Sequence, residues 1–253
     1  MYTDEELEVL EEEEHSLTVE EITAMLLLLG ITRDELKKEL VSFYQKYGTD
    51  GVVTYQEARK WIGENDHRKR MVVLLLFINT KFNDLLGDLE PHFNSFLRGI
   101  IAKEGEFFNI DLDIDKLLYS DWGVDELNWL DRLEDDVDLW YYNVSKDVKQ
   151  DMLQRKNITG VLEDVDKRFL SMEKIIWRLA VTEASAIGSI ARRQVFKELG
   201  ISKYRFYARE DERTCEHCGS LHGLIFPMTA YEVGVTASPI HSRCRCWEVP
   251  IME

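Results

Sequence analysis

The sequence predicts a mainly α protein: a helical body carrying a small β-rich module at its C-terminus, an α+β arrangement. Three observations predict it. From about residue 16 to 199 apolar residues recur at helical spacing, punctuated by Thr-x-x-Glu signals that start helices. After Gly200 the pattern changes to short alternating or aromatic runs bounded by Gly and Pro. All four cysteines of the 253-residue chain fall within its last forty residues.

The chain opens on an acidic stretch. Residues 4 to 14 hold eight acids (Asp4, Glu5, Glu6, Glu8 and Glu11 to Glu14) and no base, and the whole chain carries a formal charge of −17. So dense a like-charge run, with only Leu7, Val9 and Leu10 to dock, reads as a solvated or disordered arm, residues 1–15. Residues 16–158 form the expected helical body. Thr18 with Glu21, Thr32 with Glu35 and Thr54 with Glu57 each fit a capping box, and Gly30, Gly48 and Gly63 follow as stops, which predicts three short helices. A buried helix is expected over about 68–86, where Met71 to Ile78 is an unbroken apolar run, and another over about 90–102 ending near Gly105. Eight apolar residues fall far short of the about 20 that span a bilayer, so no membrane segment is expected.

A polar connector, 105–123, places Asp111, Asp113 and Asp115 alternately with apolar residues. Trp122, Trp129, Trp140, Tyr141 and Tyr142 follow among leucines and read as core anchors rather than a ligand box. Further helices are expected over about 135–156, 160–169 and 171–199. Strands are expected at 204–207, 224–226 and 246–249.

Chemistry concentrates at the C-terminus. Cys215-Glu-His-Cys218 is followed, twenty-two residues later, by His241-Ser-Arg-Cys244-Arg-Cys246. Thiolate and imidazole donors at this spacing can close a tetrahedral zinc site, each pair supplying two corners, so the module reads as zinc-knuckle-like. Cys215, Cys218, His241 and one of Cys244 or Cys246 would hold a structural zinc, leaving one cysteine spare. Free thiols or disulfides are the competing readings; with no signal peptide the expected compartment is a reducing cytosol, which disfavours disulfides. His217 and His222 lie near enough in sequence to compete as ligands.

Other motifs carry less. Residues 48–57 resemble half of an EF-hand loop, but Lys46 and Gly48 stand where the first two ligands belong, which argues against calcium. Thr182-Glu183 lies in a helix without a base or nucleophile beside it. No P-loop, Gly-x-Ser-x-Gly or His-Glu-x-x-His is present, so an enzyme is not expected. Between Lys167 and Arg213 eleven bases face six acids. Arg192, Arg193, Lys197, Lys203, Arg205, Arg243 and Arg245 are therefore candidate phosphate contacts, against the plainer reading of a solvated helix face.

The string from Asp211-Glu-Arg-Thr214-Cys215 through Cys218, Leu221-His-Gly223 and Ser238-Pro239-Ile240-His241 to Cys244-Arg245-Cys246 resembles the tailed-phage minor capsid, or head-morphogenesis, family named after the Mu F protein. Val181-Thr182-Glu183 resembles that family's Arg-Thr-Glu segment. The chain departs from the pattern at Ser238, His222 and Ser242-Arg243, where proline, aspartate and Pro-Asn are usual, and at Val181. The resemblance covers about residues 160–250 and implies a Mu F-like C-terminal domain over 159–253, with long helices at 160–199 and the Cys/His module at 204–250. It further implies a non-enzymatic virion component, in the capsid interior or at the portal vertex after assembly in the host cytoplasm. Its expected partners are the portal protein, the major capsid or scaffold protein and packaged double-stranded DNA, with no membrane. Its work would be head assembly, genome packaging or ejection. A zinc-stabilised DNA-binding module is the alternative, and a toxin-like enzyme a weaker one.

Overall fold

In the computed structural model, residues 4–63 and 66–252 are described. The elements run α1 (Asp4–Tyr47), α2 (Tyr55–Ala58), β1 (Trp61–Gly63), β2 (Asp66–Lys69), α3 (Arg70–Phe108), α4 (Ile114–Leu118), α5 (Trp129–Leu153), α6 (Ile158–Glu198), β3 (Lys203–Tyr207), α7 (Glu216–Leu221), β4 (Ile225–Pro227) and β5 (Trp247–Ile251). The expected class, mainly α with small antiparallel strands at the C-terminus, is the one observed.

The helices are fewer and longer than their punctuation predicts. Leu7, Leu10, Glu14, Thr18, Ile22, Met25, Leu29, Thr32, Leu36, Leu40 and Phe43 are all buried, a stripe stepping by three or four residues through the whole of α1. Thr18 and Thr32 sit on that stripe instead of capping, and the Thr18 hydroxyl donates to the Glu14 carbonyl at 2.9 Å. Only the third capping signal operates: the Glu57 amide donates to the Thr54 hydroxyl at 3.2 Å and starts α2. Unbroken periodicity outweighs a local cap wherever the buried face continues. For the same reason α3 runs through Pro91 and α6 runs through Leu170, where separate helices were expected.

The acidic arm is a correction. Residues from Asp4 onward are helical, and Leu7 and Leu10 are 0% and 4% exposed. Burying two leucines offsets the like-charge repulsion that the composition reading took as decisive. α1 also contains a stretch long and apolar enough, by length and composition, to cross a membrane. Within that stretch 28% is buried, and further along the helix Lys37 is ion-paired with Asp166 at 2.7 Å.

The residues divide into two compact units. One comprises Ala24–Glu90 and Leu133–Ile175. In it Trp140 packs on Phe82 and Phe169 at 4.4 and 4.6 Å, its indole N–H donating to the Arg168 carbonyl at 3.1 Å. Tyr142 and Leu139, expected beside it in the core, are each 60% exposed. The β1–β2 hairpin lies here and was not expected. So does the EF-hand-like loop, where Glu57 is paired with Lys60 and Arg70 at 2.5 and 3.1 Å and so is already neutralised.

The other unit comprises Met1–Thr23, Pro91–Arg132 and Ile176–Glu253. Its sheet has the order β4-β3-β5, all antiparallel, with Tyr204 opposite Phe226 and Pro250. Tyr204, Trp247 and Val249 of the sheet share a core with Leu7, Leu10, Phe108, Val195, Phe196 and Tyr231. The chain turns after α3 by a contact that needs glycine: a Cβ on Gly105 would lie 2.7 Å from the Ile110 carbonyl oxygen. In the aspartate connector, Asp113 caps α4 and Asp115 pairs with Arg98, so these two of the alternating acids serve structure.

Candidate metal centre

Between β3 and β5 the chain brings the cysteines and His241 together. Cys215 is the N-cap of α7, its sulfur accepting the Cys218 amide at 3.3 Å, so the Cys-x-x-Cys spacing spans one helical turn. His241 Nε2 stands 3.2 Å from Cys215 Sγ and 3.3 Å from Cys218 Sγ, and Cys218 Sγ stands 3.8 Å from Cys244 Sγ. Tetrahedral zinc bonds would put sulfurs about 3.8 Å apart and sulfur and nitrogen about 3.6 Å apart. These three separations are thus near the edge lengths such an ion requires, within two close triads, Cys215–Cys218–His241 and Cys218–Cys244–Cys246, that share Cys218. Cys246 lies within 4.8 Å of Cys218 and Cys244. All four cysteines are unbridged.

The surroundings orient these donors. His241 Nδ1 lies 2.9 Å from the Ser242 carbonyl; a proton there leaves Nε2 free to face the thiols. The Cys218 amide holds the Cys215 thiol below its ordinary range. The hydrogen bond from Cys246, ahead of a helping backbone amide, brings Cys244 down to about 5, and Cys246 is correspondingly pushed up. Burial pushes Cys218 up to about 12. Phe206, Ala208, Leu221 and Ile240 pack around the sulfurs, burying Cys218, Cys244 and Cys246 while Cys215 is half-buried and His241 exposed.

Asp211 and Thr214, quoted in the motif but given no task by it, fix the approach to Cys215. The Asp211 carboxylate accepts the Arg213 amide at 2.8 Å and the Arg245 guanidinium twice at 2.6 Å, which holds it below the usual carboxylate range. The Thr214 hydroxyl accepts the Asp211 amide at 3.0 Å. From the opposite side the Thr182 hydroxyl accepts the Arg243 amide at 3.0 Å, tying the His241–Cys244 turn to α6. Glu183 is buried against Trp122 Nε1 at 2.8 Å and Arg132 at 3.2 Å; burial pushes it up to about 7 against the pull of that arginine. Val181 brings no charge to it. The guanidinium comes from fifty-one residues earlier.

The basic candidates separate. Arg193, Lys197, Lys203 and Arg243 are exposed, Arg205 is half-buried on β3, and Arg245 is held by Asp211. Arg192 is a correction: it is 1% exposed and bonded to Glu11 and Glu104, so no phosphate can reach it. Arg209 and Arg213, outside the expected set, join Arg243 and Arg245 in lining a cleft over the Cys/His cluster. His222 turns away to the Ala208 backbone and is no competitor for the centre.

A three-stranded sheet, a long preceding helix and a Cys/His cluster between the strands all lie within or beside the stretch that resembles a phage head-morphogenesis family. Residues 142–249 match the family model described as Phage Mu protein F like protein, so the chain carries a Mu F-like domain reaching back into α5. No curated protein and no solved structure matches the chain.

Proposed function

We propose that the chain is a portal-associated minor head protein that works by position rather than by catalysis. The Mu F-like match over 142–249 carries this reading. Its setting would be the capsid interior near the portal vertex, reached from the host cytoplasm during assembly. The helical units would make the protein contacts, with the portal first and the major capsid or scaffold protein next. Purified chain is expected to co-sediment with portal oligomer and to enter virions. Particles of normal protein content lacking the chain's portal contact would refute the assignment.

In the same reading Cys215, Cys218, His241 and Cys244 hold one structural zinc, Cys246 remaining as a hydrogen-bonding thiol. The close approaches of His241 Nε2 to Cys215 and Cys218 and of Cys244 to Cys218 support this set, Cys218 belonging to both close triads of donors. Elemental analysis is expected to find about one zinc per chain. Cys218→Ser should release it and loosen residues 203–251 to hydrogen exchange, whereas Cys246→Ser should retain it. Metal-free protein with the same protection would refute zinc.

A second reading, contact with packaged double-stranded DNA, is favoured by the four arginines around the cleft. Phosphate binding there would weaken steeply with salt and fall in Arg209→Ala and Arg243→Ala.

A further inference from the structure

Away from the Cys/His cluster, a second group of convergent donors is buried. Glu11 and Glu14 on α1 and Glu104 on α3 each place a carboxylate oxygen within 4.8 Å of the others. Glu104 is 0% exposed and Glu14 6%, while Glu11 reaches solvent. Arg192 on α6 donates to one oxygen of Glu11 at 2.7 Å and to one oxygen of Glu104. Among the described residues this leaves Glu14 Oε1 and Glu104 Oε2 buried without a hydrogen-bond partner.

Charge makes the same point. Fully ionised, three carboxylates against one guanidinium would leave two negative charges in a low-dielectric setting, where an uncompensated charge is costly, and burial accordingly pushes the Glu14 and Glu104 carboxyls up, Glu104 to about 7. Lys103 is taken by Glu13 toward solvent. Glu248, from β5, adds negative potential and is itself satisfied by the Ser238 amide and the Ser189 and Tyr231 hydroxyls. α6 presents a glycine here: a Cβ on Gly188 would stand 3.3 Å from Glu14 Oε2 and 3.6 Å from Ile100 Cγ2. One proton would remove one of the two charges, and protons on both Glu14 and Glu104 would remove both. A divalent cation removes both and gives the two orphan oxygens a partner.

We infer that Glu11, Glu14 and Glu104 form an oxygen-ligand site for one hard divalent cation, with calcium the best-fitting ion, seated beside Arg192. An all-carboxylate donor set selects hard cations over the zinc that thiolates select. Two calcium–oxygen bonds of about 2.4 Å span about 4.8 Å, the separation within which these oxygens lie. Bound there, the ion ties the acidic start of α1 to the α3 and α6 segments of its own unit, making the docking of residues 4–14 cation-dependent.

Titrating calcium chloride into the full chain at pH 7.5, read by calorimetry, is expected to show one site outside the Cys/His centre. Affinity should fall at least about tenfold at pH 5.5, because protons compete for the same carboxylates. Glu14→Gln should weaken binding at least about tenfold with unchanged helical content, whereas Glu13→Gln, altering an exposed neighbour, should not. Hydrogen exchange of the wild-type chain should slow with calcium within residues 7–14 and 100–106. No calcium uptake by the wild-type chain would overturn the site, as would uptake that Glu14→Gln leaves intact or protection gained only elsewhere. If Glu14→Gln does not fold, the wild-type titration and its exchange map still decide.

Discussion

The two clusters of convergent donors are built in opposite ways. The Cys/His cluster draws its donors from a single stretch, 215–246, and holds them with local turns: a sulfur that caps α7, an Asp211–Thr214 turn, and a backbone carbonyl on His241. The Glu11–Glu14–Glu104–Arg192 cluster is assembled across 181 and 88 residues of sequence, and its geometry exists only once three helices have packed. The first can be prepared by local folding. The second is a product of tertiary structure and reports on it.

That contrast can be broken experimentally. The largest effect is expected at Arg192. Arg192→Ala leaves Glu104 buried without the guanidinium it pairs with, beside buried Glu14, and should cost about 3–5 kcal/mol in urea denaturation. A loss under about 1 kcal/mol would mean that the carboxylates are already neutral or hydrated.

Next is Leu7→Ala, expected to cost about 2–5 kcal/mol, because the side chain is 0% exposed in a core with Trp247 and Phe196. The composition reading of the same segment expects an unchanged melting temperature, so one melt separates the two.

The smallest effect concerns Glu183, which should sharpen the comparison by isolating a buried carboxylate outside both clusters. Its folded pKa is raised to about 7, by burial first. A raised pKa gives stability that is fully present below the unfolded value of about 4.3 and is lost as pH rises through about 7. Comparing unfolding free energies at pH 5 and pH 8, Glu183→Gln should show a smaller fall than the wild-type chain. An equal fall in both would place the titration elsewhere.

How far the sequence reveals these features follows the same division. The Cys/His cluster was legible because metal-ligand spacing is written in consecutive residues, and the strands because Gly and Pro bracket them; β3 and β5 fall where the alternation put them. Cys244 and Cys246 were not separable by spacing, and both sulfurs lie within 4.8 Å of Cys218 in the fold. Thr18 and Thr32 misled because a capping box is a local signal, and the buried stripe of α1 passes straight through both. Glu11 and Glu14 were hidden inside a run of acids. Their one visible mark was a three-residue spacing in phase with Leu7 and Leu10, and the burial of Arg192 had no mark in sequence at all.

One detail of the Cys/His module has a kinetic meaning. Because Cys215 is both a zinc donor in the proposed set and the cap of a six-residue helix, that sulfur cannot swing away from an ion without exposing the first amides of α7. Exchange of the ion and fraying of that helix would then be a single event with one rate. A scavenger added to the zinc-loaded chain would read out the opening frequency of this short helix rather than the strength of any one bond.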